Sequence, residues 1–196
     1  MKVDVKTPEG DDMTAAAATL PVGSALRIAP RFVATAVDEE SGIETGVEAE
    51  YDPDEGRYVV RTVVARALRR GVREDDLRYV ATQAIVRAAV PQCIALQLSE
   101  DDNAPWTTVA DLTSNDGRII PQWMAAAVAQ RGVKAERHDV IEILYGVSAL
   151  AGIPPVKTVQ IELDVVHRTA SDWIAKARAA GRLKGMNYHA GRQADG

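Results

Sequence analysis

Pro155-Val-Lys-Thr-Val-Gln-Ile-Glu-Leu-Asp-Val-Val-His-Arg-Thr-Ala-Ser-Asp-Trp-Ile-Ala-Lys-Ala-Arg-Ala-Ala-Gly-Arg-Leu183 carries two helical patterns with almost nothing between them. Proline is disfavoured inside a helix but suits its first turn, so Pro154-Pro155 stops the preceding chain and opens a short helix over Val156 to Leu163. Only Asp164, Val165 and Val166 intervene before a second pattern runs from His167 to about Ala180, closed by Gly181. The 3 and 4 spacing assigns Val159, Leu163, Val165, Ala170, Trp173 and Ile174 to the inner faces, with Ala170 small where the helices approach closely. His167, Arg168, Thr169, Ser171, Asp172 and Lys176 are left facing outward.

Upstream, Arg137 to Ala151 presents Val140, Ile141, Ile143, Leu144, Val147 and Leu150 on one broad apolar face, and Gly152 falls where a left-handed C-cap belongs. A short turn between two helices, the second basic and amphipathic, is the helix-turn-helix arrangement. In that arrangement the first helix of the pair braces the second, which enters the major groove of duplex DNA. That outward face is then the candidate DNA-reading surface, and Lys157, Thr158, Arg178, Arg182 and Lys184 are the flanking candidates for phosphate. His167 stays open between a base reader and an ordinary surface histidine.

A net charge of −5 argues by itself against a polyanionic partner, but its distribution does not. From Gly152 to Gly196, seven Lys or Arg stand against four acids, a local +3 that leaves −8 on the first 151 residues. An acidic body joined to a basic module is the expectation.

The stretch 155–183 resembles helix-turn-helix proteins of actinobacteria and their phages, over about 29 residues and most visibly in the Thr169-Ala-Ser-Asp-Trp-Ile174 run. The segment before it, with Tyr145, Ala149, Gly152 and Pro154-Pro155, resembles that family's leading helix, and Gly56-Arg-Tyr-Val-Val60 and Asp76-Leu-Arg78 resemble its N-terminal region. The resemblance implies that His167, Arg168 and Asp172 occupy base-contacting positions. Three departures stand out: Gln160 where a small alanine is usual, Asp164 where glycine is usual, and Val166 where an N-capping serine is usual. Asp172 also replaces a common arginine, and can accept from cytosine or repel phosphate.

The N-terminal part reads differently. Residues 1–22 mix Pro, Gly, charge and an alanine run with no sustained period and are expected as a flexible arm. Arg31 to Val37, Gly42 to Tyr51 and Arg57 to Ala65 alternate or are rich in β-branched residues, and turn-formers separate them at 38–42 and 52–56. They predict an antiparallel meander. Glu74-Asp75-Asp76 precedes a helical pattern at Leu77, Val80, Ala81, Ala84, Ile85 and Ala88 that Pro91 is expected to end. Ser99 to Pro121 reads as a polar loop, and Pro121 to Gln130 as a helix leading into the C-terminal module.

Other chemistries find little footing. Asp52-Pro53-Asp54-Glu55-Gly56 opens like a calcium loop, but its glycine falls fifth and Val63 occupies the twelfth position, where glutamate belongs. His138, His167 and His189 have no metal-ligand spacing, and Cys93 is alone, which excludes an internal disulfide and fits a reducing compartment. No phosphate-cradling glycine loop and no nucleophile elbow occur, so neither an enzyme nor a cofactor is expected. Trp173 is expected in the core, Trp106 and Trp123 in packing, and Arg69-Arg70 at an exposed loop end. No stretch has the length and apolarity of a membrane span, and no signal peptide is read.

The sequence thus predicts an α+β protein: arm 1–22, a small antiparallel sheet plus helix over 23–98, a linker 99–120, an all-α helix-turn-helix domain 121–184 and a flexible tail 185–196. The expected function is sequence-specific binding of double-stranded DNA by a cytoplasmic transcriptional regulator, a homodimer or partner contact being supplied by the N-terminal domain. The alternative is a phage-type adaptor whose acidic N-terminal domain engages a host or packaging protein.

Overall fold

A computed structural model describes residues 2–68, 71, 73–74, 77, 80–97, 104–113, 118–131 and 134–188. Arg69-Arg70, Asp75-Asp76 and the last eight residues of the expected tail, from His189 on, lie outside them.

Two antiparallel four-stranded sheets carry the N-terminal part, where the sequence predicts a single small one. The first holds β1 (Val3–Lys6), β4 (Arg31–Asp38), β5 (Ile43–Asp52) and β6 (Arg57–Ala67) in the order β1-β4-β5-β6. The second holds β2 (Leu20–Val22), β3 (Leu26–Ile28), β7 (Ile94–Leu96) and β8 (Thr107–Thr108) in the order β2-β3-β7-β8. The meander β4-β5-β6 forms as expected, because strict alternation along β5 buries Ile43, Thr45, Val47, Ala49 and Tyr51 on one face and leaves Glu44, Glu48 and Glu50 on the other. Along that outer face Arg31 meets Glu48, Arg61 Nε lies 3.2 Å from Glu50, and Arg66 Nε lies 3.6 Å from Glu44.

The expected arm is structured. β1 pairs with β4 from Val3 opposite Ala36 to Lys6 opposite Val33, a 3-10 turn spans Ala15–Ala17, and β2 pairs with β3. Burial of Val5 and Val22 explains why these short runs hold without a long alternating pattern.

The helix expected to begin near Leu77 begins later, as α1 (Thr82–Cys93), with Pro91 inside it rather than at its end. Proline lacks an amide donor, and the helix continues only two residues past it before the chain extends into β7. α1 packs on β1, β4 and β5 with Ile85, Ala89 and Val90 inward. The expected linker holds β8 and a short helix, α2 (Val109–Thr113), in which Thr108 Oγ1 accepts from the Asp111 amide.

Four further helices follow: α3 (Gln122–Arg131), α4 (Lys134–Leu150), α5 (Pro155–Leu163) and α6 (His167–Ala179). One contiguous set of buried residues runs from Val5 to Met186 through both sheets and these helices. At its centre Phe32 meets Tyr58 edge-on at 5.0 Å, and Tyr58 donates to the Ala29 carbonyl at 2.7 Å, an arrangement that satisfies the hydroxyl while burial holds its pKa well above the ordinary phenol value. Cys93 is buried here too, and burial pushes its thiol up. Among the described residues no helix is long and apolar enough to cross a membrane.

Residues 185–188 are packed rather than free. Met186 is buried, the Tyr51 hydroxyl donates to the Gly185 carbonyl at 2.5 Å, and the Asn187 amide donates to the Gly56 carbonyl at 3.3 Å.

Candidate nucleic-acid interface

α4 is the post on which α5 and α6 are mounted. Its residues 140–150 are all buried, and a Cβ on Gly146 would lie 2.4 Å from Leu26 Cδ1. The helix ends in a Schellman motif: the Ile153 amide donates to Ser148 at 2.8 Å and the Gly152 amide to Ala149 at 3.1 Å, with Gly152 at φ +67°. Pro154 then caps α5 with extended backbone and Pro155 takes its first position, where the missing amide costs nothing.

α5 stops at Asp164, which sits in the left-handed region at φ 50°, ψ 50°, the one non-glycine residue with positive φ among those described. Val165 and Val166 complete a three-residue turn, and α6 starts with Val166 as an N-cap that makes no side-chain hydrogen bond. Two of the three departures noted in the sequence thus fall on the turn itself. At the far end Gly181, at φ +76°, repeats the Schellman ending, with Gly181 donating to Arg178 at 3.0 Å and Arg182 to Ala177 at 3.1 Å.

α6 turns Ala170, Ile174 and Ala177 onto α4 and α5, and its opposite face is open. Val159 and Leu163 are buried as expected, while Val165 and Trp173 are half-buried against the core. Of the outward residues, His167, Arg168, Asp172 and Lys176 are exposed and Thr169 and Ser171 half-buried. Ser171 Oγ lies 3.5 Å from His167 Nδ1, and Lys176 Nζ donates to Asp172 at 2.6 Å, an exposed i, i+4 pair. The Arg168 side chain makes no hydrogen bond or ion pair among the described residues, and the same is true of the side chains of Lys157 on α5 and of Lys184. Thr158 is half-buried and its hydroxyl donates to the Pro154 carbonyl at 3.4 Å.

Arg178 and Arg182 are engaged within the molecule. Arg178 donates to the Tyr145 hydroxyl at 2.9 Å with its guanidinium carbon 5.4 Å from that ring. Arg182 donates to Ser24 Oγ and lies 3.2 Å from Asp139 and 3.7 Å from Glu142. These two cations bind α6 and its exit to α4 and to the turn between β2 and β3.

Two buried acids escape a reading by apolar face. Glu142 has no exposed surface and accepts from the Ser24 amide, the Ser24 hydroxyl at 2.6 Å and the Ala25 amide at 2.7 Å. Glu162, on α5, accepts from the Ile119 amide at 3.3 Å and lies 3.6 Å from Arg118 Nε. The available signal was Ile141-Glu-Ile143, a lone acid inside an apolar run. Trp123, expected in packing, is 64% exposed, whereas Trp106 lies under Arg27, whose guanidinium carbon is 4.2 Å from its ring centroid.

No protein-family model matches the chain, and no curated protein or solved structure is significantly similar to it.

Proposed function

We propose that this protein binds double-stranded DNA, using α5 and α6 as a helix-turn-helix with α6 in the major groove, and that it acts as a transcriptional regulator in the cytoplasm. The observation that carries the reading is the three-residue turn through left-handed Asp164, after which α6 buries one flank and holds His167, Arg168, Asp172 and Lys176 in solvent. A helix held on one side by two others and bare on the other fits a groove about 12 Å wide. The resemblance of 155–183 to actinobacterial and phage helix-turn-helix proteins supports the same reading.

Roles divide by position along α6. Arg168 and His167, in the first turn, reach base edges; Thr169 and Ser171 flank them. Lys176, two turns on, meets phosphate together with Lys157, Thr158 and Lys184. Lys176 must leave Asp172 to do so, but an exposed i, i+4 pair is worth only about 0.3–0.5 kcal/mol, well below the gain from a phosphate contact that releases a counterion. Arg178 and Arg182 serve as positioning residues. A homodimer gives the protein two such helices, since one short helix reads few bases.

The test is selection of bound fragments from random duplex DNA by the full-length protein, followed by titration of the enriched sequence at several salt concentrations. Enrichment of one motif, with affinity falling steeply as salt rises, is the expected result. Absence of both enrichment and salt-dependent binding overturns the reading in favour of the adaptor.

A further inference from the structure

β6 is the last strand of its sheet and runs eleven residues. An edge strand offers backbone N–H and C=O groups that no neighbouring strand takes, and proteins usually shield such an edge with charge or a bulge. On β6 apolar side chains stand exposed between the polar ones: Val60, Val63 and Val64 are 41%, 45% and 56% exposed, and Leu68, which follows the strand, is 50% exposed. The bulge that is present falls at Arg61, where the register against β5 shifts between Glu48 and Ala49. From Thr62 to Ala67 the pairing is regular again. The two arginines that would repel a second strand are matched within the sheet, Arg61 by Glu50 and Arg66 by Glu44.

We propose that the protein forms a two-fold dimer in which β6 of one copy pairs antiparallel with β6 of a second, centred on Val64. In this register Val64 lies opposite its own copy, Val63 opposite Ala65, and Thr62 opposite Arg66, so no like charges face one another and the bulge stays outside the pairing. On the outer face the row reads Glu44 and Arg66 of one copy, then Thr62 and Glu48 of the other, where Thr62 already donates to Glu48 at 3.2 Å. Arg66 of each copy therefore sits between its own carboxylate and a partner strand backed by another. The result is a continuous eight-stranded sheet that consumes both exposed β6 edges, so assembly stops at two. The pairing stands on the sheet alone; only its use, offering two copies of α6 to one duplex, rests on the DNA reading.

The experiment is accordingly run without DNA. Sedimentation equilibrium of the full-length protein should give a dimer, and Val64→Lys, which sets two ammonium groups against each other at the two-fold axis, should weaken association about a hundredfold or more while leaving the far-ultraviolet circular dichroism unchanged. A second measurement does not depend on that variant. Val64→Cys should cross-link to its own copy under mild oxidation, because opposed residues of paired strands approach within disulfide reach; Leu68→Cys, on the same edge but not opposite itself, should not. Buried Cys93 stays out of the reaction. A wild-type monomer up to about 0.3 mM, a Kd too weak for a specific dimer, or cross-linking at neither or both positions, overturns the proposal.

Discussion

Glu142 on α4 accepts the Ser24 hydroxyl at 2.6 Å across 118 residues of sequence, and the Arg182 that follows α6 reaches both of them. The three side chains tie the turn between β2 and β3 to α4 and to the chain leaving α6. Gly23 belongs to the same arrangement: at φ +67°, a Cβ there would lie 2.4 Å from Glu142 Oε1.

Breaking this tie should be costly. Glu142→Ala leaves the Ser24 and Ala25 amides and the Ser24 hydroxyl without their acceptor, while Arg182 keeps Asp139 and Ser24 is open to solvent, and should destabilise the protein by roughly 1–3 kcal/mol. Glu142→Gln keeps one carbonyl oxygen and should cost less than half as much. Urea denaturation of both variants checks the order; equal losses would show that the amide contacts carry little.

Asp164 and Val166 are places where the turn can be improved. Asp164→Gly removes the Cβ from a left-handed residue and should add roughly 0.5–1 kcal/mol, offset in part by the larger freedom of glycine in the unfolded chain. Val166→Ser supplies the missing N-cap and should add roughly 0.5–2 kcal/mol. Each should raise the thermal midpoint, and Asp164→Val should lower it.

Arg168→Ala and Lys176→Ala should part company on DNA. Loss of Arg168 should relax preference at one base position at a cost of roughly 1–3 kcal/mol. Loss of Lys176 should weaken all duplexes alike and lower the salt slope by about one unit. Titrations of both variants against the selected and a scrambled duplex distinguish the patterns.

Trp173 is half-buried, so Trp173→Ala should cost roughly 2–3 kcal/mol, short of the 3–5 kcal/mol typical of a fully buried tryptophan. A midpoint equal to wild type would mean that the indole packs on nothing that matters.

How far the sequence could be read depended on the length of each pattern. β4, β5 and β6 run 8 to 11 residues with turn-formers between them, so alternation is visible. β2, β3 and β7 have three residues each and β8 two, too few for any period, and β7 follows α1 directly, so Ile94–Leu96 reads as more of the same apolar run. The second sheet was therefore invisible. α4, α5 and α6 were legible because Pro154, Pro155, Gly152 and Gly181 punctuate long 3.6-residue periods. The tasks of Arg178 and Arg182 were not, since their partners Tyr145 and Ser24 lie 33 and 158 residues away and spacing within one helix says nothing about them.

The grip of Tyr51 on Gly185 and of Gly56 on Asn187 has a mechanical consequence. α6 is clasped along its inner flank by α4 and α5, and the chain that leaves it is fastened to the β5–β6 hairpin, so it has no swivel of its own. A stimulus that re-aimed α6 would have to carry a β-hairpin with it. The helix is a pointer welded to its dial, and if the proposed DNA reading holds, a duplex that does not match its bearing has to bend to meet it, at a cost set by its stiffness.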